Sequence, residues 1–80
     1  MTLAIEARHY EETRVRLTED PIVKAMAEEL HGVPREHLVH DDGTTPRFEF
    51  TLAANREYAK RGGTDGGHIG AIAEAILRLI

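Results

Sequence analysis

Residues 65–80, DGGHIGAIAEAILRLI, form the stretch that decides the predicted fold. Their isoleucines recur at spacings of three and four residues, which is the period of a helix with one apolar face. We therefore predict a helix near residues 65–80, packed on a second copy of the chain or on the chain's own core. A homodimer through this helix is the preferred assembly. The residues assigned to the apolar face are Ile69, Ile72, Ile76, Leu79 and Ile80.

Two further features of this segment carry structural predictions. Glu74 and Arg78 are four residues apart, so we predict an ion pair between them on the polar side of the helix. Gly70 would lie inside the helix, where glycine costs about 1 kcal/mol relative to alanine. Close packing against another backbone would compensate for that loss. A glycine-rich loop, residues 61–67 (RGGTDGG), precedes the helix.

The composition predicts one small domain, residues 1–80. A chain of this size buries only about 60% of its unfolded surface, so dimerisation would be a natural way to enlarge its core. The chain has no cysteine, which excludes disulfides and cysteine-ligated zinc. We find neither a signal-peptide pattern nor 18 consecutive apolar residues, and we therefore expect a cytoplasmic protein.

Alternating residues near the N-terminus predict a β-hairpin. Leu3 and Ile5 are separated by one residue, as are Val15 and Leu17, and this period of two is typical of half-buried strands. The turn between the two strands is expected near residues 10–13.

A helix over residues 21–31 is predicted to follow. Asp20 can accept a hydrogen bond from an unpaired backbone N–H, and Pro21 is tolerated at the first helical position. The apolar residues from Ile22 to Leu30 recur at helical spacing. Gly32 is expected to end the helix in the left-handed conformation.

The second half of the chain predicts further strands. Leu38 and Val39 form a short apolar segment, and Phe48, Phe50 and Leu52 alternate with polar residues. Residues 51–61 fit either a short helix or a loop. The predicted fold class is α+β: about four short strands in a mostly antiparallel sheet, one central helix and one C-terminal helix.

Charge is distributed unevenly along the chain. The net charge is −4, and residues 1–46 hold ten acidic and five basic residues. An acidic surface attracts basic protein grooves and repels nucleic acid, although acidic pairs also serve simply to keep a protein soluble. The residues predicted to bind a partner are the acidic doublets Glu11, Glu12, Glu28, Glu29, Asp41 and Asp42.

These properties favour a non-enzymatic protein-binding module. In size, acidity and lack of cysteine, the chain resembles small phage-encoded inhibitors such as anti-CRISPR proteins. That resemblance implies an acidic inhibitor that blocks a basic, nucleic-acid-binding surface of a partner protein, with no direct nucleic-acid ligand. We expect no catalytic residues, no cofactor and no membrane association.

The glycine-rich loop supports an alternative function. Gly63-Thr64-Asp65-Gly66, followed by Ile69 and Ile72, resembles the GxxG loop of KH RNA-binding domains, which implies that a nucleic-acid backbone approaches the glycines. A flexible connector with a helix cap at Asp65 is the preferred interpretation of the loop. In the RNA-binding alternative, the loop from Gly63 to Gly67 acts with flanking residues. The phosphate contacts would be Arg56, Lys60 and Arg61, and the candidate stacking residues are Tyr58, Phe48 and Phe50.

A second resemblance concerns the order of elements. A hairpin followed by a helix that ends in Gly32-Val33-Pro34 is similar to the β-grasp order of ubiquitin-like proteins, over roughly the first half of the chain. It implies a sheet wrapped around the central helix.

Histidines form the one cluster of candidate metal ligands in the sequence. His31, His37 and His40 lie near Asp41 and Asp42, but their spacing matches no common zinc signature. We therefore predict surface histidines and no metal site. No hydroxyl or thiol nucleophile is paired with a histidine in a recognisable motif, so we also predict no catalytic site.

Overall fold

The computed structural model describes residues 2–64 and 70–80, and of residues 2–7 it describes the backbone alone. Over these residues the chain is helical. Its α-helices are α1 (Thr2–Leu17), α2 (Pro21–Glu29), α3 (Phe48–Lys60) and α4 (Ala71–Leu79), and a 3₁₀ turn spans Arg35–His37. The described residues contain no β-strand. Their single extended pairing is an isolated antiparallel bridge between Val39 and Pro46.

The predicted α+β fold is therefore wrong, and α1 shows why. Where a hairpin was expected, residues 2–17 form one continuous helix. Thr13 and Leu17 are buried and Tyr10 is half-buried, so the inward face follows helical spacing. Val15, which the strand pattern placed on the same face as Leu17, is 51% exposed. The apparent period of two was a coincidence of apolar residues that lie on different sides of a helix.

The same error affected the segment predicted as a strand around residue 50. Phe50, Ala54 and Tyr58 are buried one helical turn apart on α3, whereas Phe48 is 66% exposed. Residues 51–61, which the sequence left open between helix and loop, continue this helix to Lys60. The helix ends in a Schellman-type arrangement: the Gly62 amide donates to Ala59 at 3.0 Å and the Gly63 amide donates to Tyr58 at 2.9 Å.

The helix predicted after Asp20 is confirmed. Asp20 lies at the N-cap of α2, and its Oδ1 accepts a hydrogen bond from the Ile22 amide at 2.8 Å. The helix ends at Glu29, two residues before the predicted end. Gly32 does not have the left-handed conformation that was expected of it; among the described glycines, Gly43, Gly62 and Gly70 have positive φ.

The core is organised around α4, because α1, α2 and α3 all pack against it. Six of its nine residues are buried, and three of those are alanines, which allow the neighbouring helices to approach closely. The helix begins directly after Gly70, which is its N-cap residue and has a φ of 96°. The prediction that Gly70 lies inside the helix is therefore wrong. The expected start near Asp65 lies outside the described residues.

Residues predicted to form a dimer face divide between the core and the surface. Ile72 and Ile76 have no exposed surface in a single chain, so they complete the monomer's own core. Leu79 is 40% exposed and Ile80 is half-buried. Ile69 lies outside the described residues.

Tyr58 links the end of α3 to the start of α2. Its ring is 1% exposed, and its hydroxyl donates to Asp20 Oδ2 at 3.1 Å. Gly63 lies against the same ring so closely that a Cβ atom at this position would be 2.3 Å from two ring carbons. Gly63 therefore has a structural role at the end of α3.

Candidate functional site

An apolar groove runs between α2 and α3, and we call it the α2–α3 groove. It encloses about 300 Å³. Its apolar wall is formed by Met26, Leu30, Phe50, Ala53 and Ala54, and its charged end by Glu29, Glu57 and Arg61. The groove follows from helical spacing, because Phe50, Ala54 and Glu57 recur on one side of α3. Such a surface can accept apolar side chains from another molecule.

Arg61 bridges the charged end of the groove. Its Nη1 and Nη2 donate to the two carboxylate oxygens of Glu29 at 2.8 and 2.7 Å, and its Nε donates to Glu57 Oε2 at 2.7 Å. The hydrogen bonds from Arg61 lower the pKa of Glu29, and the same bonds raise the pKa of Arg61. Two carboxylates share one guanidinium, so this end of the groove keeps an excess of one negative charge.

The three basic residues predicted to contact RNA differ in whether their charge is available. Arg56 and Lys60 are exposed, but the guanidinium of Arg61 is occupied by Glu29 and Glu57. Among the candidate stacking residues, Tyr58 and Phe50 are buried and Phe48 is exposed. Gly63 and Thr64 follow α3, whereas the rest of the predicted loop, Asp65, Gly66 and Gly67, lies outside the described residues.

In each acidic doublet, one carboxylate contacts another part of the structure and the other carboxylate does not. Glu11 pairs with Arg14, Glu29 pairs with Arg61, and Asp42 caps a turn. The second members of the doublets are exposed and make no ion pair with the described residues: Glu12, Glu28 and Asp41. Glu29 lines the α2–α3 groove, and neither of the other doublets does.

Asp42 organises the turn before α3. Its Oδ1 accepts hydrogen bonds from the amides of Thr44 and Thr45 at 2.9 and 2.8 Å, and its Oδ2 accepts one from the Thr45 hydroxyl. These hydrogen bonds, led by that from the Thr45 side chain, lower the pKa of Asp42 to about 2. Since each of them favours the ionised form, Asp42 holds the turn as a carboxylate.

Acid should therefore loosen this turn. The folded-state pKa of Asp42 lies below its ordinary value, so the contribution of Asp42 to stability is complete above about pH 4 and is lost as the pH falls towards 2. We expect the Asp42 side-chain carboxyl carbon to titrate in NMR with a midpoint of about 2. Thr45→Val should raise that midpoint towards the ordinary aspartate value, and an unchanged midpoint would contradict the assigned cause.

A second cavity, of about 450 Å³, lies on the side of α4 that faces α1 and the turn. We call it the arginine cleft. Its lining comprises Arg14, Arg35, Thr44, Thr45, Glu74, Leu77 and Arg78. It shares no lining residue with the α2–α3 groove.

Glu74 connects α4 to α1 inside this cleft. Its Oε2 accepts hydrogen bonds from the Tyr10 hydroxyl at 3.0 Å and from Arg14 Nη1 at 3.3 Å. Burial, together with the hydrogen bond to Glu74, raises the pKa of Tyr10 to about 12. The predicted ion pair between Glu74 and Arg78 is replaced by these contacts, and Arg78 makes no ion pair with the described residues.

Comparison with known proteins identifies a phage relative of the chain. It is 53% identical over 76 residues to the Gene 80 protein of Mycobacterium phage L5, an alignment that covers 91% of this chain and 82% of the phage protein. The chain belongs to the Gene 80 protein family. No family model matches the chain, and no solved structure matches it.

The described residues of this member of the Gene 80 protein family show neither a metal-binding cluster nor a membrane-spanning helix. The described residues contain no group of three or more histidine, aspartate or glutamate side chains that could hold a metal ion, and His31, His37 and His40 are exposed. No helix among residues 2–64 and 70–80 is long and apolar enough to cross a membrane.

The arginine cleft was missed by reasoning from the sequence. Arg14, Arg35 and Arg78 come from α1, the 3₁₀ turn and α4, so no local spacing connects them. The acidic doublets, in contrast, could be predicted as candidate binding residues because their members are adjacent in the chain. A signal for the cleft would have required knowing that α1 packs on α4.

Proposed function

We propose that this member of the Gene 80 protein family is a non-enzymatic protein-binding module. It captures a segment of a partner protein that presents apolar side chains beside a basic residue, and it acts on that partner as an inhibitor or adaptor. The observation that carries the proposal is the α2–α3 groove, a cavity of about 300 Å³ with an apolar wall and an excess of negative charge at one end.

The apolar wall of the groove suits a helical or extended peptide. Met26 of α2 and Leu30, the residue that caps its end, are one turn apart, and Phe50 and Ala54 of α3 line the same groove. Docking an amphipathic segment into such a groove is a common mode of peptide recognition, and methionine adapts readily to the side chains it meets.

Charge selects the class of partner. The carboxylates of Glu29 and Glu57 share Arg61, and the exposed Glu28 adds another negative charge next to Glu29. A basic side chain on the partner would pair with this excess, and the net charge of −4 would steer a basic protein towards the surface. Glu12 and Asp41 contribute to that steering from elsewhere on the molecule.

The phage relative gives the proposal a setting, because a phage protein of this size can act on a host or phage protein. An inhibitor of the anti-CRISPR kind, which blocks a basic nucleic-acid-binding surface, is one form of the proposal. RNA binding ranks second: Arg56 and Lys60 remain exposed in its favour, but Arg61 is occupied by carboxylates.

A matched pair of alanines on α3 provides the test. Ala53 and Ala59 are both exposed, but Ala53 lines the groove and Ala59 does not. We expect tagged wild-type protein to capture a partner from nuclease-treated mycobacterial lysate, identified by mass spectrometry. Ala53→Lys should weaken binding of the purified partner by about tenfold or more, because it places a bulky cation in the groove. Ala59→Lys should leave the affinity unchanged.

Placing a photo-crosslinking amino acid at each position then identifies the bound segment. Position 53 should crosslink to an apolar partner segment that contains lysine or arginine, and position 59 should not. Equal loss of affinity in both lysine variants, or capture that disappears on nuclease treatment, would contradict the proposal. Circular dichroism of both variants confirms that they remain folded.

A further inference from the structure

The arginine cleft brings together cations from distant parts of the chain. Arg14 comes from α1, Arg35 from the 3₁₀ turn, and Arg78 from the last turn of α4. Like charges repel one another, so three guanidinium groups around one cavity of about 450 Å³ require compensation. The compensation that the described residues supply is incomplete.

Arg14 is compensated by its own chain. Its Nη2 pairs with Glu11, and its Nη1 pairs with Glu74 at 3.3 Å. Glu74 also accepts a hydrogen bond from the Tyr10 hydroxyl, so Arg14 and Glu74 are both held in place where they line the cleft. The side chain of Arg14 is only 16% exposed, which limits its movement.

Arg35 and Arg78 are not compensated. Arg35 uses its Nε to donate to the Gly43 carbonyl at 3.4 Å, which leaves both of its terminal nitrogens available. Arg78 is exposed and forms no ion pair with the described residues. The cleft therefore offers two guanidinium groups whose charge is unmatched, and guanidinium forks bind the oxygens of phosphate with paired hydrogen bonds.

The turn adds hydroxyl groups to this cationic lining. Thr44 and Thr45 line the cleft. The Thr45 hydroxyl donates to Asp42, whereas the Thr44 hydroxyl has no hydrogen-bond partner among the described residues. Asp42 belongs to the same turn, and its carboxylate accepts hydrogen bonds from the Thr44 and Thr45 amides and the Thr45 hydroxyl. Its negative charge opposes an anion, which makes both unmatched arginines necessary.

We propose that the arginine cleft binds the phosphate group of a small phosphorylated molecule. A phosphate monoester carries about −1.5 to −2 charges at pH 7, so it can pair with both unmatched arginines. The cleft volume lies within the range of about 300–1,000 Å³ that is usual for small-ligand sites, so there is room for a nucleoside or sugar attached to the phosphate. The site is independent of the α2–α3 groove.

The test uses the whole protein and three defined probes: inorganic phosphate, adenosine monophosphate and adenosine. Titration is followed by NMR of backbone amides and arginine Nε–H groups at constant ionic strength. We expect saturable shifts of Arg35 and of the amides near Thr44 with both phosphate-bearing probes, and none with adenosine. Tighter binding of the nucleotide would assign the ligand to organic phosphates, and equal binding would assign it to free phosphate.

Two variants that each remove one arginine distinguish specific phosphate binding in the cleft from nonspecific electrostatic attraction. Arg78→Ala should weaken phosphate binding by about tenfold or more, because it removes one of the two unmatched cations. Arg56→Ala removes an exposed arginine from α3, outside the cleft, and should leave the affinity unchanged. An absence of saturable shifts with phosphate and nucleotide, or equal weakening in the two variants, would overturn the proposal.

Discussion

Gly63→Ala is expected to destabilise the fold by about 3 kcal/mol, at the upper end of the range for overpacking a core. An added Cβ would lie 2.3 Å from two ring carbons of Tyr58. The ring cannot readily move away, because it is 1% exposed and its hydroxyl is bonded to Asp20 at 3.1 Å. The clash would therefore disturb the end of α3 and the start of α2 together.

Gly32→Ala is the matched control for this substitution. A Cβ at Gly32 would have no atom within 4 Å, and the backbone there does not have positive φ. Urea denaturation should show a large fall in the free energy of unfolding for Gly63→Ala and a small change for Gly32→Ala. Equal effects would show that loss of glycine flexibility, and not contact with Tyr58, decides the outcome.

Ile76→Ala should also destabilise the protein strongly, by about 2–5 kcal/mol. Ile76 has no exposed surface and lies on α4, which all the other α-helices contact. The substitution removes buried methylene and methyl groups and leaves a cavity at the centre of the core. Leu79→Ala, on the same helix but 40% exposed, should cost much less.

The measurement for Ile76 also distinguishes a monomer core from a dimer interface. If Ile76 completes the core of a single chain, the unfolding midpoint of the wild type should not depend on protein concentration. If the residue instead lies between two copies, the midpoint should rise with concentration, because association stabilises the folded state by mass action. A concentration-dependent midpoint would contradict the assignment of Ile76 to the monomer core.

Parts of this structure could be predicted from the sequence because their signals are local. Asp20-Pro21 predicts the start of α2 correctly, since an N-cap and the first helical position are adjacent in the chain. The isoleucines of residues 69–80 predict an apolar helix, which is confirmed over Ala71–Leu79. The local pattern could not show that α1, α2 and α3 would all pack on this helix.

Other parts depended on contacts between distant residues. Val15 and Leu17, like Phe48 and Phe50, are two residues apart and apolar, but one member of each pair is exposed. Tertiary packing decides which member is buried, so alternation alone predicted strands that do not form. The arginine cleft is a stronger case, because its arginines meet only after the helices have packed.

The position of α4 in the chain has a consequence for synthesis. Helices α1, α2 and α3 pack more on α4 than on one another, so they lack most of the surface that holds them together until residues 71–79 are available. A nascent chain must therefore expose residues 71–79 outside the ribosomal exit tunnel before this core can close. Until then, Leu17, Val23 and Tyr58 remain accessible to chaperones and proteases, and the speed of that last step sets how long the exposure lasts.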